Sequence, residues 1–198
     1  EAVPSRQFDI SKIDFELLSR EFAHTRRKNL LLRDLDELVN QQLAKMLFAN
    51  PQRIDYYDRY QEIIDAYNAE QNRATIEKTF MDLMELASSL DTEQQRYVRE
   101  GFSSDEELSV YDLLFSENLT KQEIETIKKV SVDLLTKIKQ QIAKLDHWTD
   151  KQETKAIVDN LIRNTLWQEL PNSYDVSDIQ TYQKKIYEYV YMRYPEVA

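Results

Sequence analysis

Apolar residues recur at spacings of three and four along most of the chain. Leu31, Leu32, Leu35, Val39, Leu43 and Leu47 form a stripe about 100° wide on a helix. Ile54, Tyr57, Tyr60, Ile64 and Tyr67 form the next, and Ile76, Phe80, Leu83, Ala87 and Leu90 a third. Ile124, Ile127, Leu134, Ile138 and Leu145 mark a long helix, and Ile179, Tyr182, Ile186 and Val190 close the sequence. No short alternating run bounded by turn residues is present, so no strand is expected. The pattern predicts about eight helices, near 14–26, 31–49, 53–70, 73–100, 105–116, 121–146, 150–169 and 178–194.

Helix starts are signalled separately. Thr92-x-x-Gln95, Ser104-x-x-Glu107, Thr120-x-x-Glu123 and Ser177-x-x-Gln180 all fit the capping box, in which two side chains satisfy orphan N–H groups reciprocally. Thr92 can equally lie inside one long helix. Asn50-Pro51 ends the 31–49 helix, because proline disfavours α geometry in the residue before it. The breaks are short, the longest falling at Leu170–Val176, and neither a fixed-period repeat nor a low-complexity segment interrupts them. The expected fold is all-α: an irregular bundle without a sheet, forming a single helical assembly domain over 1–198.

Composition removes whole classes of function. The 198 residues include one Gly and no Cys, where average usage would supply about 7% Gly. A phosphate-cradling loop or dinucleotide fold needs several glycines close together, and Gly101 stands alone. Without Cys there is no disulfide, thiolate nucleophile or zinc ribbon. No apolar run approaches the roughly 18 residues of a membrane span. The opening Glu-Ala-Val-Pro-Ser lacks an initiator Met, a basic region and an apolar region, so the chain reads as a piece excised from something longer rather than a secretory precursor. Lys and Arg total 26 against 36 Asp and Glu, a net charge of −10. Such a balance repels nucleic acid in bulk while allowing a local basic patch.

The candidate chemistry is sparse. Glu21-x-x-His24 matches half of a di-iron bundle, but Lys144 stands where His147 would need the second Glu. With the second half missing, His24 reads as a partly exposed helix histidine. His147-Trp148 falls where one helix gives way to the next, with Trp148 read as a packing anchor. Glu153-Thr154-Lys155 has the Glu-x-Lys form of metal-dependent nucleases, yet it falls in a helical stretch rather than on a strand. Arg26, Arg27 and Lys28, with Arg33 nearby, are the densest basic cluster. They could touch phosphate, or lie at the C-terminal end of the first helix and relieve its dipole.

Aromatics are the more unusual feature. Five of the twelve tyrosines, Tyr182, Tyr187, Tyr189, Tyr191 and Tyr194, crowd the end of the chain. Tyr187, Tyr191 and Tyr194 form a second row beside the Ile186 and Val190 stripe, with Arg193 next to it. An exposed row of this kind suits a partner surface, because tyrosine combines apolar area with a hydroxyl that tolerates water. A terminal helix buried on two sides would carry the same residues.

Longer stretches carry a resemblance. Asp34-Leu-Asp-Glu-Leu, followed by Met46-Leu-Phe-Ala-Asn-Pro-Gln-Arg-Ile-Asp-Tyr-Tyr-Asp-Arg-Tyr-Gln-Glu-Ile-Ile-Asp-Ala-Tyr-Asn68, resembles the C-terminal helical region of type I restriction endonuclease R subunits. So do Leu166-Trp-Gln-Glu-Leu-Pro-Asn-Ser-Tyr174 and Val190-Tyr-Met-Arg-Tyr194, together with Arg27-Lys-Asn-Leu30 and Leu108-Ser-Val-Tyr-Asp-Leu-Leu114. The similarity runs over nearly the whole chain in the family's order.

The resemblance implies a part of a large ATP-driven machine in the cytoplasm of a bacterium or archaeon. R subunits of that family have an N-terminal nuclease, two RecA-like motor domains and this helical region. The helical region holds the motor on the methyltransferase and specificity subunits, and DNA is met through the complex. None of the family's catalytic residues map onto this sequence, so no enzyme activity, catalytic residue, cofactor or metal is expected in this fragment. ATP and Mg2+ belong to the parent chain by the same implication. The rival readings are a free-standing all-α interaction adaptor unrelated to restriction, and a helical hydrolase using scattered carboxylates.

Overall fold

The computed structural model describes residues 12–195. Among them the regular elements are helical: α1 Phe15–His24, α2 Lys28–Ala49, a 3-10 turn Pro51–Arg53, α3 Ile54–Ala69, α4 Arg73–Gln94, α5 Arg96–Arg99, α6 Asp105–Leu114, α7 Lys121–Ile142, α8 Gln152–Glu169 and α9 Val176–Arg193. The all-α expectation holds. The opening Glu1–Ser5 stretch lies outside the described residues.

The ends of these helices follow side-chain chemistry. Asp14, Asn72, Ser104, Thr120 and Asp175 each accept a first-turn N–H as N-cap. Thr120 and Glu123 complete the reciprocal box expected of them. At Ser104 the Glu107 carboxylate instead takes the Ser103 N–H at 2.7 Å. Thr92 lies inside α4, its hydroxyl bonded back to the Ser88 carbonyl. Ser177 is not a cap: α9 starts two residues earlier, where Asp175 and Asp178 close the box between themselves. An aspartate satisfies the same orphan N–H groups as a serine.

Three further expectations need correction. The 73–100 helix stops at Gln94 and resumes as the one-turn α5, after which Gly101 takes φ 84 and lets Phe102 N–H reach the Tyr97 carbonyl. That left-handed turn accounts for the chain's one glycine. The 121–146 helix ends at Ile142, so the longest break among the described residues is 143–151, not 170–176. On α3 the buried face is set by Tyr60 and Ile63, while Ile54 and Tyr57 are exposed.

The chain divides into two compact units between Arg96 and Tyr97. In the first, α2 and α4 pack along Leu35, Val39, Leu43, Leu83, Ala87 and Leu90, all buried. The Phe22 ring of α1 stacks on Phe80 with centroids 3.7 Å apart. Arg53 is also buried here and pairs with Glu93 at 3.0 Å, and Glu93 accepts a second bond from Arg96 at 2.8 Å. In the second unit, α6 to α9 surround Leu108, Leu134, Ile138, Val158, Ile162, Leu166, Ile186 and Val190.

Candidate interaction surface

After Ile142 the chain leaves α7, and His147 takes φ 45, a left-handed turn that a non-glycine residue adopts only when its neighbours hold it there. Trp148 follows, fully buried at 1% exposure. Its carbonyl accepts from the Thr154 hydroxyl at 2.8 Å, which ties the break to the first turn of α8. Its indole N–H donates to the Tyr194 backbone carbonyl at 2.6 Å, which ties the break to the end of α9.

The tyrosine row picked out in the sequence converges on this indole. Tyr187 and Tyr191 present ring edges to Trp148 at 6.1 and 5.7 Å, and lie 6.2 Å from each other. Their spacing on α9 puts them one above the other on one helix face. Tyr187 is half-buried, and burial, followed by the nearby Asp159 charge, raises its hydroxyl pKa. Tyr191 is exposed at 37%, with the Lys155 ammonium 5.8 Å from its ring centroid. Arg193 is half-buried.

Tyr194 departs from the row. Its ring meets Tyr189 edge-on at 6.2 Å and lies under the Lys139 ammonium at 5.3 Å. Burial, with Tyr189 and Glu106 beside it, pushes its hydroxyl far above the usual range. Burial alone would raise the Glu106 carboxyl, but the Lys139 ammonium bonded to it, with the Tyr194 hydroxyl and Arg193 nearby, outweighs that and holds the carboxyl below its ordinary value. The row is therefore divided in its burial: Tyr191 is exposed, and Tyr187 and Tyr194 are half-buried. A cleft of about 440 Å³ opens beside the row, lined by Lys144, Asp146, His147, Trp148 and Pro195 among others. Met192, which the sequence did not single out, is the most exposed large apolar residue among the described residues, at 71%. Helical spacing offered a signal, since Met192 lies off the Ile186 and Val190 face.

The basic cluster is split. Lys28 opens α2 and pairs with Glu77 at 2.7 Å, its ammonium 4.9 Å from the Phe22 centroid. Arg33 lies 3.7 Å from Asp34. Arg26 and Arg27 are exposed in the connection after Thr25, the C-cap of α1, so they do not sit in that helix's last turn. Of the four, Arg26, Arg27 and Arg33 are exposed, and Lys28 is half-buried.

The other candidates are not assembled into reactive groups. His24 and Glu21 are exposed on α1, and no cluster of three metal-binding side chains occurs among the described residues. Glu153 is exposed, while Thr154 turns to Trp148 and Lys155 to Tyr191. The aromatic corner brings ring faces, the Lys155 ammonium and a cleft together on one part of the second unit.

Among known proteins, the family model described as type I restriction enzyme HindI endonuclease subunit-like, C-terminal, matches residues 1–194. No curated protein and no solved structure matches the chain.

Proposed function

Since the chain belongs to the family of C-terminal domains of type I restriction enzyme HindI endonuclease subunit-like proteins, we propose that it docks a DNA-translocating nuclease subunit onto a methyltransferase and specificity core. On this reading residues 1–198 act as one assembly module in the bacterial or archaeal cytoplasm. DNA is reached through the complex, and ATP and Mg2+ serve other parts of the parent chain. The observation that carries the reading is the family match over 1–194, which names the C-terminal domain of an endonuclease subunit. An all-helical scaffold with an aromatic corner on its surface is consistent with it.

Within that reading Tyr187, Tyr191, Arg193 and Tyr194 are the proposed docking residues, with different duties. Tyr191 makes the contact, since it is the member of the row that faces water. Tyr187 packs beside it, Tyr194 fixes the Trp148 indole against which it rests, and Arg193 is a further anchor of the same surface. The test is binding of the chain to the purified methyltransferase and specificity subunits, compared with a Tyr191→Ala variant. Edge-on ring contacts are worth about 0.5–1.5 kcal/mol, so the variant should stay folded with a modest loss of stability. A hot-spot contact costs ~2 kcal/mol or more, roughly thirtyfold in affinity. Unchanged affinity for the core would remove Tyr191 from the docking surface, and no binding by the unaltered chain would remove the reading. The chain alone is expected to cleave neither ATP nor DNA. Mg2+-dependent nicking abolished by Glu153→Gln would contradict that.

A further inference from the structure

In the first unit α2 and α3 both pack along α4 and meet one another only sparingly. Two cylinders laid on a third leave a groove between them. The Tyr60 hydroxyl of α3 donates to Asp36 of α2 at 2.7 Å and bridges that groove. Asp36 also lines a cavity of about 240 Å³ beside the bridge. Each helix gives the cavity residues from one face. Leu32 and Asp36 are four apart on α2, Ile64 and Tyr67 three apart on α3, and Thr79 and Leu83 four apart on α4.

Most of the lining is apolar: Leu32 and Leu83 are buried, and Ile64 and Tyr67 are half-buried. One deep residue is polar. Thr79 is 4% exposed, and its hydroxyl, reachable from the cavity, makes no hydrogen bond among the described residues. Thr126, Thr136 and Thr181 differ, each bonding back to the carbonyl four residues earlier. A buried hydroxyl left unpaired is costly. The mouth is mixed in charge. Asn29 and Arg33 are exposed there, Arg33 lies 3.7 Å from Asp34, and Asp36 carries the opposite sign.

We propose that this cavity binds a small uncharged organic molecule, a single ring or a branched chain of like size, that carries a hydroxyl or an amide. Size sets the first limit. A cavity of about 150 Å³ takes benzene, so this one has room for one ring with a short substituent. Thr79 sets the second limit. Its hydroxyl can donate or accept, and only a polar group carried by the ligand, or water, can satisfy it. Charge sets the third. Arg33, Asp34 and Asp36 favour neither sign at the mouth, and Thr79 offers no countercharge to an ion that must leave water. The cavity lies wholly in the first unit, so it stands or falls independently of docking at the aromatic corner of the second.

The probe is phenol, titrated at neutral pH into the 198-residue chain and followed in ¹⁵N spectra, with toluene, benzoate and benzylammonium as comparators. The expected result is saturable movement of the Thr79 and Leu83 amide signals while the Trp148 indole N–H stays in place. Thr79→Val keeps the shape of the side chain and removes the hydroxyl. The variant should fold with unchanged or greater stability, because a methyl group replaces an unpaired polar one. Its affinity for phenol should fall by about three- to tenfold, the effect of one neutral hydrogen bond, while its affinity for toluene holds or rises. Benzoate and benzylammonium should each bind more weakly than phenol. No saturable shift with phenol would leave the cavity to water and overturn the proposal. Movement confined to Trp148, tighter binding of either ion, or equal phenol affinity in Thr79→Val would overturn it as well.

Discussion

Trp148 and Tyr194 lie 46 positions apart in sequence and are joined by a hydrogen bond of 2.6 Å from the indole N–H to the backbone carbonyl. That bond closes the end of α9 against the break between α7 and α8. A helix leaves its last carbonyls without intrahelical partners, and here a side chain from elsewhere in the fold supplies one beyond the helix end. The same indole gives Tyr187 and Tyr191 a surface to rest on.

Trp148→Phe keeps most of the ring but removes the donor, leaving the Tyr194 carbonyl without it. The expected loss is about 1–3 kcal/mol from the unmade bond. Trp148→Ala should cost about 3–5 kcal/mol, as truncation of a buried aromatic does. Urea denaturation of the two variants reads both values. Equal losses would show that the N–H, and not the ring's packing, holds α9.

Arg53 and Glu93 form a buried ion pair in the first unit, their side chains 3% and 8% exposed. Removing the carboxylate takes the counter-charge from buried Arg53, whereas in Arg53→Met the Glu93 carboxylate keeps its bond from Arg96, so Glu93→Leu should destabilise by about 3–5 kcal/mol and Arg53→Met by less. The double variant should be less destabilised than Glu93→Leu alone, because two apolar residues in place of a buried pair need little solvation. A double-mutant cycle by thermal or urea melts checks this. Additive losses would mean that the two side chains act separately.

Glu106 makes the second unit sensitive to acid. Its folded pKa lies below the ordinary 4.5, so its contribution is complete above 4.5 and is lost as pH falls through the folded value. Stability should therefore decline on acidification, and Glu106→Gln should flatten part of that decline while lowering stability at neutral pH. Melting temperatures from pH 7 downward test it. A parallel fall in the variant would assign the acid sensitivity to other carboxylates.

Arg26 and Arg27 are the exposed cations of the α1–α2 connection, and any direct contact with DNA by the first unit should depend on them. Two phosphate contacts give a log–log salt slope of about −2, at roughly −0.9 for each phosphate neutralised. The Arg26→Ala, Arg27→Ala variant should lose that slope and change stability by less than about 0.5 kcal/mol. Filter binding over a salt series measures it. A slope beyond about −4 would reveal a basic surface elsewhere.

What the chain determined by itself is local. Periodicity of three and four at Phe80, Leu83, Ala87 and Leu90 gave a helix and its buried face, because a single helix turn decides which residues share a side. Thr120 and Glu123 fixed the start of α7 for the same reason, both partners of the cap lying within one turn. The family resemblance rested on whole stretches and holds over 1–194. Tertiary structure decided what depends on distant neighbours. It chose Asp175 over Ser177 as a cap, and ended α7 at Ile142 so that Trp148 could turn inward. It turned Tyr194 inward while leaving Tyr191 in water, although both share one row in the sequence. It also paired Lys28 with Glu77 and left Arg26 and Arg27 exposed. Periodicity gives the angle of a side chain about its own helix, but burial and charge pairing depend on what the rest of the chain brings to that angle.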